Sequence, residues 1–495
     1  MILFLFSLSL AHGQEADSAL KPLETWGESR TLLSGLSDYP VDSEGTYVGQ
    51  PFSVHQRIRA GATYTWKKLE FSTEWDVLTG QIAGDTWAID TTEDERHRDA
   101  LSALSLQGIS PRKASIQGMS PLGQWEAGLV NSHFGLGMVA NNGSQDPLFG
   151  RADFGDRVLR IRNTTQPFDG DGVLMPVYLT AAVDRVFADD LARMSAGQVA
   201  WQGILSAMYA VDEFSTGTYM VYRNQKEPVE EGQLDRTTHA AMLDGFLSVP
   251  LAIGSQGWRM KLETELAGIV GNTNRATTVT SPERVRINSG GAAARLQVAT
   301  PSNTTRLHLR GGFASGDADP DDGLSTTFTM DRDFDAGMVL FKEVLGSVDA
   351  ATHALLSDPD HSGSPPDGVD TLLGEGAIRS AVYAQPAIEF QPLAILGLRA
   401  GAVLAWSTSP YRQAFYSHRA GGVPYNQHNQ PAGGYQLGKE LNWAVLVQAP
   451  SIEVLGEDLV LDAQLQGGHA LLAEDLAGQG VDTVHLVTGT IRARW

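Results

Sequence analysis

The chain has 495 residues, of which 58 are acidic and 36 basic, so its formal net charge at pH 7 is −22. This balance argues against nucleic acid as a partner, because phosphate backbones are bound by basic surfaces. The sequence contains no cysteine, which excludes disulfide scaffolds, thiolate metal sites and cysteine nucleophiles together.

The first 13 residues predict an export signal. Residues 1–10 form an apolar run, and Ala11 and Gly13 place small residues at the −3 and −1 positions of a cut after Gly13. The run is too short for a transmembrane helix. We therefore assign residues 1–13 to a signal peptide and 14–495 to the exported protein. The alternative is a buried N-terminal strand.

The remainder of the chain alternates between apolar and polar residues with a period of two. In residues 52–66, for example, Val54, Ile58 and Trp66 share one parity, while Arg57 and Arg59 share the other. Such alternation predicts strands with one apolar and one charged face. We predict seventeen strands on this basis: 52–66, 69–80, 110–119, 123–130, 156–163, 173–186, 197–211, 216–224, 237–250, 257–270, 284–299, 304–314, 379–390, 393–407, 439–453, 458–470 and 482–495.

Two all-β architectures contain strands of this kind, the soluble sandwich and the transmembrane antiparallel barrel. The barrel is favoured because the strands are long enough for a tilted span and their apolar faces are rich in Ala, Gly and Thr. Aromatic residues also occur near strand ends, as the interfacial girdles of such barrels require: Trp66, Trp258, Phe390, Trp406, Trp443 and Trp495.

Loop lengths predict the strand count and the orientation. With Trp495 in the periplasm, the short connections fall on the periplasmic side. The long connections fall on the extracellular side, and they are 81–109, 131–155, 315–378 and 408–438. A periplasmic N-terminus then needs one more strand, for which residues 25–33 are the best candidate. We therefore predict 18 strands, with 16 as the alternative if the weak pair 156–163 and 173–186 is misassigned.

Three segments resemble motifs of the alginate-export-type, porin-like barrels of Gram-negative bacteria. They are AGLVNSHFGLG at 127–137, ASGD at 314–317 and LGKELN at 437–442, and they occur in family order. The resemblance implies an 18-stranded channel and leaves the substrate open.

The charged residues predicted to face the lumen are the candidate selectivity residues. Basic rows and an acidic row facing each other set a transverse field across a pore and so tune its selectivity. The alternative is a network of salt bridges that only holds the wall together. The residues are Arg57, Arg59, Glu70, Glu74, Asp76, Arg306, His308, Arg310, Arg492 and Arg494.

The long loop 315–375 has 14 acidic and two basic residues. Its Asp317, Asp319 and Asp321 resemble the opening of a calcium loop, but the Gly and Glu of the later positions are missing. A solvated acidic cap is the stronger interpretation, and no other cofactor is expected. Within the loop, Met338 and Phe341 begin a helical spacing that predicts a short helix at the mouth or in the lumen.

The sequence thus predicts a channel in the outer membrane of a Gram-negative bacterium, passing a polar solute or a polysaccharide. Trp495 is the predicted signal for the barrel-assembly machinery, and lipid and lipopolysaccharide are the expected surroundings. The alternatives are a binding or structural barrel plugged by the 315–375 loop and, third, a barrel-embedded hydrolase. We expect no enzyme, because the sequence has no G-x-S-x-G, H-E-x-x-H or Walker motif.

Overall fold

The computed structural model describes residues 23–43, 45–85, 108–152, 155–168, 174–228, 235–253, 257–278, 280–358, 374, 376–454 and 457–495. The predicted signal peptide lies outside these ranges. Within them, no helix is both long enough and apolar enough to cross a membrane.

Eighteen antiparallel strands close into a barrel, as predicted. Each strand pairs with its neighbours in sequence, and the first also pairs with the last, with Glu28 opposite Arg494. The strands are β1 (Leu23–Pro40), β2 (Tyr47–Trp66), β3 (Leu69–Gly84), β4 (Ser110–Ser120), β5 (Gly123–Asn131), β6 (Arg157–Thr165), β7 (Val177–Ala188), β8 (Val199–Val211), β9 (Phe214–Glu227), β10 (Arg236–Ile253), β11 (Trp258–Thr273), β12 (Val285–Ala299), β13 (Thr305–Ala314), β14 (Ala381–Leu393), β15 (Leu396–Ser407), β16 (Gln436–Gln448), β17 (Glu457–Leu472) and β18 (Thr483–Arg494). The weak pair of segments forms β6 and β7, so the alternative of 16 strands is wrong.

The period-two pattern of each strand separates the two faces of the wall. In β11, Leu266 and Val270 point outward and are 63% and 55% exposed, whereas Glu265 and Ala267 point inward and are 0% and 7% exposed. The same parity holds in β18, where Val487 is outward and exposed. The outer face of the barrel is therefore largely apolar, as the sequence predicts.

Most connections at one end of the barrel are short, and most connections at the other end are longer. The turns 67–68 and 212–213 join β2 to β3 and β8 to β9, and Lys67 and Asp212 adopt positive φ angles of 55° and 50°. Such angles match the twist of tight hairpins. Exposed aromatic side chains lie at this short-turn end, among them Trp66, Trp258, Phe390 and Trp495.

The described parts of two long connections fold into the barrel. We call residues 132–156, between β5 and β6, the first inner loop, and residues 315–380, between β13 and β14, the second inner loop. Phe328 and Phe341 of the second inner loop are 0% and 2% exposed and pack in one cluster with inward-facing Ala293 and Ala381 of the wall. Small wall residues provide this space: a Cβ on Gly291 would overlap the ring of Phe328.

The lumen is consequently less polar than the alternation predicts. Leu36 of β1, Val48 of β2 and Val484 and Leu486 of β18 face inward and are at most 5% exposed. They belong to a second apolar cluster that includes Phe149 of the first inner loop. Charged residues therefore line only part of the lumen, because the inner loops bring their own apolar core into it.

The predicted helix exists and lies in the second inner loop. A π-helical turn at Leu340–Leu345 continues into α1 (Gly346–Ser357), and Met338 and Phe341 are buried. Another short helix, α2 (Ala414–Arg419), lies between β15 and β16. The solvated acidic cap is only partly confirmed, because Asp331, Asp333 and Asp335 of the same loop are at most 8% exposed inside the barrel.

Candidate functional site

A cavity of about 450 Å³ lies between the β1–β4 side of the wall and the inner loops. The wall contributes Arg30 of β1, Arg57 of β2, Asp76 of β3 and Arg112 of β4. The remaining charged residues of the lining come from the connections and from the start of β6. They are Arg151 and Asp156 of the first inner loop, Asp331 and Arg332 of the second inner loop, Asp189, Asp190 and Arg193 after β7, and Arg157 of β6. The cavity therefore lies in one sector of the barrel, between the wall and the inner loops.

The lining of this cavity is more basic than the protein as a whole. Seven arginines and five aspartates line it, whereas the whole chain carries −22. Three of the aspartates bind arginine directly. Asp76 accepts from Arg59 at 2.7 Å, Asp189 from Arg223 at 2.5 Å, and Asp190 from Arg332 at 2.8 Å.

The other two aspartates of the cavity, Asp156 and Asp331, have raised pKa values. Burial raises the pKa of Asp156, and the nearby charges of Asp189 and Asp190 raise it further. Burial likewise raises the pKa of Asp331, followed by repulsion from Asp190 and Asp156. Both carboxyl groups therefore hold their protons at pH values where an ordinary aspartate is ionised, which leaves the arginines in excess.

Arg157 is a cavity arginine bound by neutral groups. Its guanidinium donates to the Ser110 hydroxyl and to the Pro111 carbonyl, each at 3.0 Å, and lies 5.3 Å from the centre of the Phe187 ring. Neither of these acceptors cancels its charge. Arg157 therefore contributes a positive charge to the cavity at its boundary with β6.

Two of the predicted selectivity residues, Arg57 and Asp76, line this cavity. Arg57 donates to Glu28 at 2.6 Å. The neighbouring members of these rows lie beside the cavity.

Arg59 is buried and donates to Asp76, and Glu74 accepts from Arg112 at 3.0 Å. Glu70 lies nearer the short-turn end, where it accepts from Gln117 at 2.7 Å. The predicted basic and acidic rows are thus adjacent and joined by hydrogen bonds.

The other predicted rows lie elsewhere on the lumen wall and do not line this cavity. Arg306 forms an ion pair with Glu389 at 2.6 Å, and Arg310 one with Asp335 at 3.1 Å. His308 lies between them in β13, with its Nε2 buried. Arg492 binds Asp146 at 2.9 Å, and Arg494 binds Asp462. These contacts correspond to the salt-bridged wall that the sequence offered as the alternative.

The predicted calcium ligands do not converge. In the described part of the chain, the structure gathers no group of three or more His, Asp or Glu side chains suited to a metal ion. Asp317 instead accepts hydrogen bonds from the backbone N–H groups of Asp319 and Thr326, at 3.1 and 3.2 Å. Its carboxylate therefore stabilises a turn of the second inner loop.

Of the ten charged cavity residues outside the predicted set, seven lie in loops, where strand alternation gives no information. Asp189 and Asp190 directly follow β7, and Arg332 lies in a segment interpreted as a solvated cap. The sequence does contain one signal for this loop. Large apolar residues, Phe328, Met330 and Phe334, lie on both sides of the charged residues 331–333 in an otherwise acidic loop. Large apolar residues in an acidic loop indicate burial of that loop.

Several solved barrels have a similar chain architecture. The outer membrane protein OprD from Pseudomonas aeruginosa is 11% identical, with a TM-score of 0.48 over 97% of this chain and 95% of that one. OccD3 (OpdP) of the same species is 10% identical, with a TM-score of 0.47 over 96% and 92%. A BenF-like porin from Pseudomonas fluorescens Pf-5 is 8% identical, with a TM-score of 0.48 over 96% and 98%. No family model and no curated protein matches the sequence, so the resemblance to alginate-export-type barrels is not confirmed.

Proposed function

We propose that this protein is an outer-membrane channel that passes small polar solutes and prefers anions. The observation that carries the proposal is the charged cavity between the β1–β4 wall and the inner loops, with its excess of arginine. Fixed charges in a narrow, partly dehydrated space act on a passing solute over short distances and are weakly screened by salt.

The outer face of the barrel supports the location in a membrane. A closed sheet satisfies every backbone hydrogen bond of the wall, which hydrocarbon requires. Apolar residues such as Leu266, Leu309 and Ile491 are between 53% and 63% exposed on this face, where only lipid would cover them. The exposed aromatic residues of the short-turn end, including Trp66 and Trp495, fit one interfacial girdle.

The filled lumen supports a small solute rather than a polysaccharide. Both inner loops occupy the barrel interior, and the first of them is anchored at distant points of the wall: Arg399 of β15 donates to the Leu148 carbonyl at 3.1 Å, and Gln466 of β17 accepts from Gly150 at 3.1 Å. The passage is therefore a side channel past a fixed obstruction and not the full bore of an 18-stranded barrel.

The absence of cysteine allows a direct test by site-specific blocking. Ser195 lines the cavity and is exposed, so Ser195→Cys introduces a unique thiol there. We expect stepwise conductance of the protein in a planar bilayer, and a fall in that conductance when a bulky thiol reagent modifies the cysteine. The control is Ser302→Cys in the exposed turn between β12 and β13, where the same reagent should have no effect.

An inserted barrel that never conducts would contradict this proposal and favour the loop-plugged binding or structural protein. Conductance that is insensitive to modification at residue 195 would place the passage elsewhere in the lumen. An esterase assay on the same preparation tests the barrel-embedded hydrolase.

A further inference from the structure

Two buried glutamates of the wall each bind the backbone of an inner loop. Glu440 of β16 is 0% exposed. Its Oε1 accepts from the N–H of Met338 at 2.6 Å, and its Oε2 accepts from Val339 at 3.1 Å and Leu340 at 2.7 Å. Three consecutive amides of the second inner loop therefore converge on one carboxylate.

The position of the three amides along the second inner loop explains this arrangement. The three amides directly precede and begin the helical segment of Leu340–Leu345 and α1. The first N–H groups of a helix have no partner within it, and they carry the positive end of its dipole. A carboxylate there satisfies both needs, and its charge-assisted hydrogen bonds offset part of the cost of burying it.

Glu265 of β11 holds the first inner loop in a similar way. It is also 0% exposed, and it accepts from the N–H of Leu136 on Oε2 and from that of Met138 at 3.1 Å on Oε1. Gly135 lies so close that a Cβ at this position would overlap the carboxylate, and its φ of +58° lies in the left-handed region. The loop backbone is thus shaped to fit against Glu265.

The two anchored segments also contact each other. The N–H of Asp331 in the second inner loop donates to the carbonyl of Met138 at 2.8 Å, and Met138 is the residue whose own N–H donates to Glu265. Asp331 and the adjacent Arg332 line the cavity. A displacement of either anchor would therefore move residues that bound the passage.

We propose that Glu265 and Glu440 are positioning residues that clamp the two inner loops in the lumen and thereby set the width of the passage. This inference rests on the proposed channel function for its effect on conduction. The clamp itself is a structural property that can be measured without conduction.

The test uses the isosteric variants Glu265→Gln and Glu440→Gln. A glutamine keeps the shape of the side chain but turns one acceptor oxygen into an NH₂ donor, which then faces a backbone N–H. The matched control is Glu126→Gln: Glu126 of β5 is likewise a buried glutamate of the wall, and its carboxylate accepts from Ser115 of β4 and from Arg162 of β6. Its substitution therefore removes a buried carboxylate without removing a loop contact.

Loop motion is read from spin labels on single introduced cysteines, at Ser144→Cys in the first inner loop and Ala354→Cys in α1, both exposed positions. We expect Glu265→Gln to mobilise the label at residue 144 and Glu440→Gln the label at 354. Both variants should raise single-channel conductance and current noise, while Glu126→Gln should change neither. Heat-modifiability on gels shows whether each variant is a folded barrel. If Glu265→Gln does not fold, Gly135→Ala replaces it, and if Glu440→Gln does not fold, Val339→Pro replaces it. These two substitutions disturb the same anchors from the loop side.

Each outcome decides a separate point. Unchanged label mobility in a conducting, folded variant overturns the clamp. Mobilised labels with unchanged conductance overturn the role in setting the passage width. A wild-type barrel that does not conduct overturns the proposed function instead, and the label spectra then decide the clamp alone.

Discussion

Trp495 lies directly over Gly27 at the seam where the barrel closes. The N–H of Gly27 donates to the carbonyl of Trp495 at 2.9 Å, and the N–H of Trp495 donates back at 3.1 Å. The indole covers the position that a Cβ of Gly27 would occupy. The last residue of the chain therefore completes the pairing of β18 with β1 and also contributes an exposed aromatic ring to the short-turn end.

This contact predicts an effect of Trp495 on assembly. Deletion of Trp495, or Trp495→Asp, should lower the amount of inserted barrel, because the aromatic ring anchors the strand at the interface. Gly27→Val should have a weaker effect in the same direction, since it displaces the indole without removing it. The measurement is the fraction of heat-modifiable protein in outer membranes. Wild-type levels for the deletion would contradict the proposed assembly signal.

The exposed outer face predicts where a charge is tolerated. Leu309→Arg or Leu266→Arg should destabilise the barrel by about 2–4 kcal/mol if these residues meet the middle of the bilayer. Gln464→Arg, at the middle of β17 but facing the lumen beside Gln466, should cost much less. The free energy of unfolding in lipid vesicles, measured by urea titration, checks both. Equal losses at the two kinds of position would argue against a lipid-facing wall.

The arginines of the cavity predict the ion selectivity. Arg57→Gln and Arg157→Gln should each shift the reversal potential in a salt gradient toward cation preference, because each removes a positive charge from the lining. Arg306→Gln is the control, since Arg306 faces the lumen outside this cavity, in an ion pair with Glu389. A shift of the same size in the control would mean that the whole lumen, and not this cavity, determines selectivity.

The raised pKa values of Asp156 and Asp331 predict a pH dependence of that selectivity. Below their raised pKa values both carboxyls are neutral, and as the pH rises through those values two negative charges appear in the cavity. Anion preference should therefore fall with rising pH, over a range above the ordinary aspartate pKa. Reversal potentials recorded across a pH series check this. The double variant Asp156→Asn with Asp331→Asn should keep its anion preference across the same range.

The strands and their two faces could be predicted because their cause is local. Alternation along β2 places Arg57 inward and Ile58 outward whatever the rest of the chain does, since successive side chains of a strand point to opposite faces. Loop lengths then predict the number of strands, and β1 is predicted because a periplasmic N-terminus requires one more strand. The helix at 340–357 was predicted for the same local reason, from the spacing of its apolar residues.

The candidate site could not be predicted in the same way, because its partners are distant in sequence. Alternation places Arg310 and Arg492 on the lumen face, but only the folded inner loops bring Asp335 to the first and Asp146 to the second, at 3.1 and 2.9 Å. Those loops lack a periodic pattern over most of their length. Their course depends on the space left by small wall residues and on the buried carboxylates of Glu265 and Glu440. The sequence by itself therefore determined the wall and its two faces, since strand parity is a property of neighbouring residues. The tertiary structure decided which lumen charges line the cavity and which are held in ion pairs elsewhere, since that depends on how two long loops pack inside the closed barrel.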